Sequence, residues 1–376
     1  MNFEFSDEQK QLGAEARRFL ADKCSTAAVR AVLESDEPYD KALWAGLADM
    51  GFLGVVIPEA HGGLGLGYLE LCVIAEELGR AIAPVPFSSS VFLATEFVLL
   101  AGSEAQKAAW LPKLATGKAI GTLAHAERAG PVTPKTIQVT FADGKITGTK
   151  TAVADGGVAD FAIVSVRSGG GPDARGVSLC LVDLNGKGVT RTTLQTIDPS
   201  RKHVRLDFDG AVAEPLGAAG EGWSILEHIL DRSAILTAFE QVGGADRALE
   251  MARDYALDRM AFGRPIGSFQ AIKHMLADMY VSATLARSNA YYGAWALSTG
   301  ASELPEAAAT SRVSATQAFQ HCAKNNIQVH GGMGFTWAFD CHLFYRRSNL
   351  LAVNLGSQST WENKLIARMR ARNAAA

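Results

Sequence analysis

The chain has 376 residues, 48% hydrophobic and 20% charged, with 36 basic side chains against 39 acidic ones and a formal net charge of −3. That composition suits a globular protein of two or three compact parts, and the near-neutral balance excludes binding to nucleic acid or to a membrane surface through a basic patch. Five scattered cysteines, Cys24, Cys72, Cys180, Cys322 and Cys341, lack CxxC spacing, which argues against a metal site and for a reducing, cytoplasmic setting.

Taken in chain order, the first third reads as helices. Phe5 to Leu20 opens at Ser6 with Gln9 three residues on, the pattern of a capping box, and Asp7 and Glu8 favour the positive end of the helix dipole. No basic start or apolar run marks a signal peptide here. No stretch of the chain approaches the roughly 20 apolar residues of a bilayer span. Leu71, Ile74, Ala75 and Leu78 recur at helical spacing, and the glycine-rich run 58–67 separates helices. From about Gly121 to Pro215 the pattern shifts to short β-rich runs: Thr136 to Phe141, Phe161 to Val166, Val177 to Val182 and Val204 to Phe208, with turns such as Ala142-Asp143-Gly144 between them. An antiparallel barrel or sandwich is expected there. From Trp223 helices return, and Ser224 to Asp258 is apolar on more than one face, as in a bundle core. The only low-complexity runs are Gly169-Gly170-Gly171 and the alanine tail.

Five segments, in order, resemble the acyl-CoA dehydrogenase family. They are Met50-Gly-Phe-Leu-Gly-Val-Val-Ile-Pro-Glu59 with Gly62-Gly-Leu-Gly65 and Glu76-Glu-Leu-Gly-Arg80; Trp110-Leu-Pro-Lys-Leu114 with Gly117; Gly148-Thr-Lys150 with Ala159-Asp160; Arg259-Met-Ala-Phe-Gly263 with Phe269-Gln270; and Gln328-Val-His-Gly-Gly-Met-Gly-Phe335 with Tyr345-Arg346. The resemblance implies an α+β multidomain fold: a helical domain over residues 1–118, a β-domain over 119–218 and a four-helix bundle domain over 219–376. It implies bound FAD, an oligomer, α,β-desaturation of an acyl-CoA, and electron transfer to an electron-transfer flavoprotein.

Such a reaction needs a carboxylate over the substrate's α-carbon, and a dry pocket makes it a stronger base. Many family members carry it in a Glu-Gly-Thr triplet after the Tyr-Arg segment, where this chain has Leu355-Gly356-Ser357. Another branch carries it early in the long helix after the β-domain, where this chain has Ser233. Glu240 lies seven residues on, about two turns along the same face, and is the candidate catalytic residue. Its other reading is structural, bonded to a neighbouring arginine such as Arg247 or to a helix N-terminus. Asp231 and Asp340 are the reserve acids.

For the cofactor, the resemblance assigns Arg259, Phe262, Phe269 and Gln270 to the adenosine half. It has Gln328, Gly331 and Gly332 meeting the dinucleotide from a partner subunit, and Ser357 near the flavin. An arginine fork suits diphosphate, and glycine permits close backbone approach. The ring side departs from the pattern: Ala126-Glu127-Arg128-Ala129-Gly130-Pro131 lacks the family's hydroxyls, and Ala152 and Ala154 replace a tryptophan and a threonine. These departures resemble the actinobacterial steroid and cholesterol branch, in which two different chains share FAD sites in an α2β2 complex. The expected partners are an acyl-CoA substrate, a second acyl-CoA dehydrogenase subunit or another copy of this chain, and the electron-transfer flavoprotein. Three functions stay open: a catalytic subunit with Glu240 as base, a non-catalytic partner that completes another subunit's FAD site, and a flavin-dependent oxygenase on the same fold.

Overall fold

The computed structural model describes residues 5–169 and 171–375; Met1–Glu4, Gly170 of the triple-glycine loop and Ala376 of the tail lie outside it. Ser6 opens helix α1 (Asp7–Lys23). Its hydroxyl accepts the Gln9 N–H at 3.2 Å, and the Gln9 side chain accepts the Ser6 N–H at 2.8 Å. This capping box satisfies donors that a helix start otherwise leaves unpaired. Helices α2 (Thr26–Leu33), α3 (Lys41–Asp49), α4 (Tyr68–Arg80), α5 (Glu96–Ala101) and α6 (Glu104–Ala115) follow, with a π-helical stretch Ser88–Thr95 before α5. Leu71, Ile74, Ala75 and Leu78 form the buried face of α4.

The β-part holds β1 (Gly121–Ala124), β2 (Thr140–Ala142), β3 (Lys145–Ala154), β4 (Phe161–Arg167), β5 (Val177–Asp183), β6 (Val189–Leu194), β7 (His203–Val212) and β8 (Glu214–Leu216). They form one sheet in the order β6-β7-β3-β2-β4-β5-β8, with β1 beside β4. Most neighbours are antiparallel as expected, but β1 and β2 pair with β4 in parallel, so the sheet is mixed. Six consecutive residues of β4 and of β5 are buried, which is why both read as unbroken apolar runs rather than alternating ones. The expected strand over Thr136 to Phe141 shortens to β2, because the Gln138 and Val139 N–H groups donate to the Glu127 carboxylate at 2.9 and 3.1 Å instead of to a ladder.

Helix α7 (Gly222–Asp258) leads the C-terminal part. A hairpin of β9 (Met260–Ala261) and β10 (Arg264–Pro265) comes next, then α8 (Gln270–Thr299), α9 (Leu304–His330), α10 (Cys341–Asn354) and α11 (Gln358–Ala375). Gly356 at φ +98° breaks α10 from α11, a backbone state that glycine takes without steric cost. No helix among the described residues is long and apolar enough to cross a membrane. Among the same residues no cluster of His, Cys, Asp and Glu is placed to hold a metal.

Packing divides the chain into two units. One holds the residues up to Arg30, Tyr68–Ala83 and those from Ala234 on; the other holds Ala31–Gly67 and Pro84–Ser233. In the second unit, β1 lies against the π-helical stretch and Trp110 packs on Phe161 with ring centres 4.3 Å apart. In the first, α1 packs on α4, α4 on α8, and α8, α10 and α11 on α9. Helices α4 and α7 touch there through glycines. A Cβ on Gly79 would lie 1.8 Å from the Glu240 carbonyl oxygen, and one on Gly243 would lie 1.8 Å from that of Glu76. Any side chain at these positions must push two backbones apart. We expect Gly79→Ala to lower the unfolding free energy by about 1–3 kcal/mol or more, read from the urea midpoint. An unchanged midpoint means the two helices are not in backbone contact.

Candidate active site

Glu240 lies on α7 at that glycine contact and is 4% exposed. Its Oε1 is 3.8 Å from Nη1 of Arg347, a buried arginine on α10. Arg347 donates to the Ala83 and Ile82 carbonyls just past α4, at 3.2 Å each. A second buried guanidinium, Arg312 on α9, donates to Gln241 Oε1 and to the Leu351 carbonyl. Burial pushes Arg312 down to about 10, against the opposing field of Glu240. Glu240 is therefore one buried carboxylate set among buried cations. Arg247, the sequence candidate for its partner, pairs instead with Glu250, one turn along α7, at 3.3 Å. Nothing in local spacing marked Arg347, which is more than a hundred positions away in sequence.

The other acids fall elsewhere. Asp340 accepts Arg30 Nε at 2.7 Å, while the same guanidinium donates to the Phe339 carbonyl at 3.0 Å. Asp231 is buried within α7. Glu362 accepts the Gln358 side chain one turn back on α11. Leu355 is buried, and its carbonyl accepts the Trp361 indole N–H at 3.0 Å. Ser233 donates to the Phe92 carbonyl of the π-helical stretch at 2.5 Å or to Ile229 at 2.8 Å.

The residues assigned to the dinucleotide are mostly at the surface of the first unit. Phe262 and Gly263 form the two-residue turn of the β9–β10 hairpin at φ +51° and +78°, a turn that needs φ > 0 at both positions. Phe262 stands 96% exposed at its tip. Its ring meets Phe269 edge-on at 6.1 Å, and Arg264 covers the Phe269 ring at 4.1 Å; Arg264 escaped the sequence reading. Arg259 and Gln270 are exposed on either side. Gln328 is exposed in the last turn of α9, and its carbonyl accepts the Gly331 N–H. Gly331 sits at φ +59° and needs to be glycine; Gly332 has no such angle, and a Cβ there would meet nothing. Tyr255, one turn before Arg259, stacks on His330 at 4.0 Å, so the structure brings the ends of α7 and α9 together. His330 itself is buried, with Nδ1 2.8 Å from the Asn326 carbonyl. Ser357 accepts the Thr360 N–H at 3.3 Å and so caps α11.

In the second unit, Glu127 is committed to the fold. It accepts the two backbone N–H groups and pairs with the buried Lys150 at 2.7 Å, while Lys150 also donates to Ser165 at 3.0 Å. Ala152 is exposed at φ +51°, where the β3–β7 register slips. No aromatic ring or hydroxyl arises from positions 152 and 154 to meet a flavin ring. In chemical type, the exposed cation, rings and glycines of the first unit suit an adenosine and diphosphate group, whereas alanines at 152 and 154 bring neither a ring nor a hydroxyl.

Sequence models of the acyl-CoA dehydrogenase N-terminal and C-terminal domains match residues 6–118 and 220–369. Acyl-CoA dehydrogenase IpdE2 of Mycobacterium tuberculosis is 34% identical over 350 residues, covering 91% of each chain. A solved variant of the Tcur3481-Tcur3483 steroid ACAD is 30% identical with a TM-score of 0.88, over 98% of this chain and 99% of that one. The ChsE4-ChsE5 complex from Mycobacterium tuberculosis is 27% identical with a TM-score of 0.89, over 99% of both chains.

Burial pushes the Lys150 ammonium down to about 8, against the pull of Glu127. The unfolded chain, with lysine near about 10.4, holds that proton to higher pH, so this group adds stability as pH rises from about 8 to about 10.4. We expect Lys150→Met to cost about 3–5 kcal/mol at pH 7 by leaving Glu127 without its cation, and to lack that rise. Denaturant titrations across pH check both; parallel wild-type and variant curves would refute the second.

Proposed function

Because the chain belongs to the acyl-CoA dehydrogenase family, whose members are FAD flavoproteins, we propose that it is one chain of a heteromeric dehydrogenase. In this reading it desaturates a bulky, steroid-derived acyl-CoA, and electron-transfer flavoprotein is the acceptor. Support for the substrate class comes from the likeness to a steroid ACAD, and for the two-chain assembly from the likeness to the ChsE4-ChsE5 complex. The observation that carries a catalytic role is the buried carboxylate of Glu240, beside fixed cations and rigidly seated on α4. A carboxylate so enclosed costs stability unless it is paired or used.

In this reading Glu240 accepts the α-proton of the thioester. FAD, when bound, supplies the acceptor for the β-hydride. Arg259, Phe262, Phe269 and Gln270 hold the adenosine half; Gln328, Gly331 and Gly332 approach the dinucleotide of the neighbouring chain, with Ser357 nearby. Arg259 contributes a permanent charge for the diphosphate. Gly332 is unconstrained by its own chain, which suits a contact made by something outside it. A second reading, a non-catalytic partner, draws on Ala152 and Ala154 standing where a ring and a hydroxyl would meet the flavin.

Two outcomes follow. Purified alone, the chain should retain little flavin; purified with a second acyl-CoA dehydrogenase chain co-expressed as its partner, the complex should show full flavin absorbance and acyl-CoA-dependent dye reduction. A lone chain that is flavin-loaded and active rejects the heteromer. In the active complex, Glu240→Gln should cut turnover by about 10²–10⁴-fold with assembly and flavin content retained; full turnover in that variant moves the base elsewhere.

A further inference from the structure

We propose that Arg347 is a positioning residue for Glu240, setting the place of the proton-accepting carboxylate; this rests on the reading of Glu240 as base. The geometry begins with the backbone. The Glu240 carbonyl is pinned by its contact with Gly79, so α7 cannot slide along α4. Just past α4 the chain turns at Ile82, which holds φ +45°, a costly angle for a β-branched residue. The Ile82 and Ala83 carbonyls both accept Arg347, at 3.2 Å each.

Arg347 is 1% exposed and its fork is fixed by those two oxygens. Its Nη1 stands 3.8 Å from Glu240 Oε1. That is beyond a charge-assisted hydrogen bond of about 2.7–2.9 Å and within the reach of an ion pair. The guanidinium, fixed by the two carbonyls, thus holds the carboxylate in place by its charge.

The charges facing Glu240 from the neighbouring helices fit this assignment. From α9, Arg312 adds positive field and is itself tied to Gln241 and Leu351. On α4, the charged residues around Gly79 have partners of their own: Glu76 pairs with Arg287 at 2.8 Å, Glu77 with Arg17 at 2.7 Å, and Arg80 with Glu250. Arg347 is the cation that joins Glu240 to the end of α4. Lysine in its place would keep the charge and lose the two-pronged grip; glutamine would keep a donor for a carbonyl and lose the charge.

The test uses the assembled complex with Arg347→Gln, Arg347→Lys and Glu240→Gln. Three quantities are measured: kcat and KM, deuterium wash-in at the α-carbon of a bound acyl-CoA, and the urea midpoint. Wash-in needs a base and no electron transfer. We expect Arg347→Gln to lose about 10–100-fold in kcat and in wash-in with KM within about twofold, and Arg347→Lys to recover to within about tenfold of wild type. Wild-type wash-in in Arg347→Gln, or an equal loss in the Gln and Lys variants, overturns the proposal. If Arg347→Gln does not assemble, the Lys variant decides: activity within about tenfold of wild type supports the role, and a loss as deep as that of Glu240→Gln overturns it. Wild-type wash-in in Glu240→Gln instead removes the base itself, an outcome separate from any result at Arg347.

Discussion

Helices α4 and α7 meet backbone to backbone, and the buried chemistry of the first unit depends on that contact. Gly79 and Gly243 leave no room for side chains between the two axes. Closer helices place the Glu240 carbonyl against α4 and bring its carboxylate near the end of that helix. There Arg347 already holds the Ile82 and Ala83 carbonyls. Separating the helices by the width of a methyl group would move the acid away from its cation, and a buried charge that loses its partner is costly.

The same unit solves a wider problem of charge. Helix α4 carries Glu76, Glu77 and Arg80 in one turn, on a helix whose other face is fully apolar. Each meets an opposite charge from a different helix: Arg287 on α8, Arg17 on α1 and Glu250 on α7. Arg287 also reaches Asp246; burial works against its charge, and its two carboxylates more than offset that and strengthen its hold on the proton. These pairs fix the register of three helices around α4, since a shift along the axis would break several at once.

The second unit uses a carboxylate in the opposite sense. Glu127 begins a loop in which the family resemblance places groups for the flavin. Here it closes on Lys150 and on the backbone of Gln138 and Val139. The loop therefore serves the β-sheet. Ala152 sits at a bulge of β3 with only a methyl to offer. The first unit exposes a cation, rings and glycines at the ends of α7 and α9, while positions 152 and 154 of the second unit are alanines.

Local chemistry made much of this legible. The capping box at Ser6, the apolar face of α4, the long buried α7 and the apolar runs of β4 and β5 depend on neighbours within a few residues, and the sequence carried them openly. Strands β3 and β6 did not show, because Lys, Thr and Gly dilute their pattern and β3 is broken by a bulge. Short β1 and β8 gave too few residues for a period. Glu240 could be singled out by a charge on an apolar helix, but its partner could not. The choice of Arg347 over Arg247 depends on where α10 passes the end of α4, a long-range fact that helical spacing does not encode. Composition and periodicity determined which segments would be buried and in what form. Only the tertiary structure decided which buried charges would meet, because that depends on how closely two glycines let their helices approach.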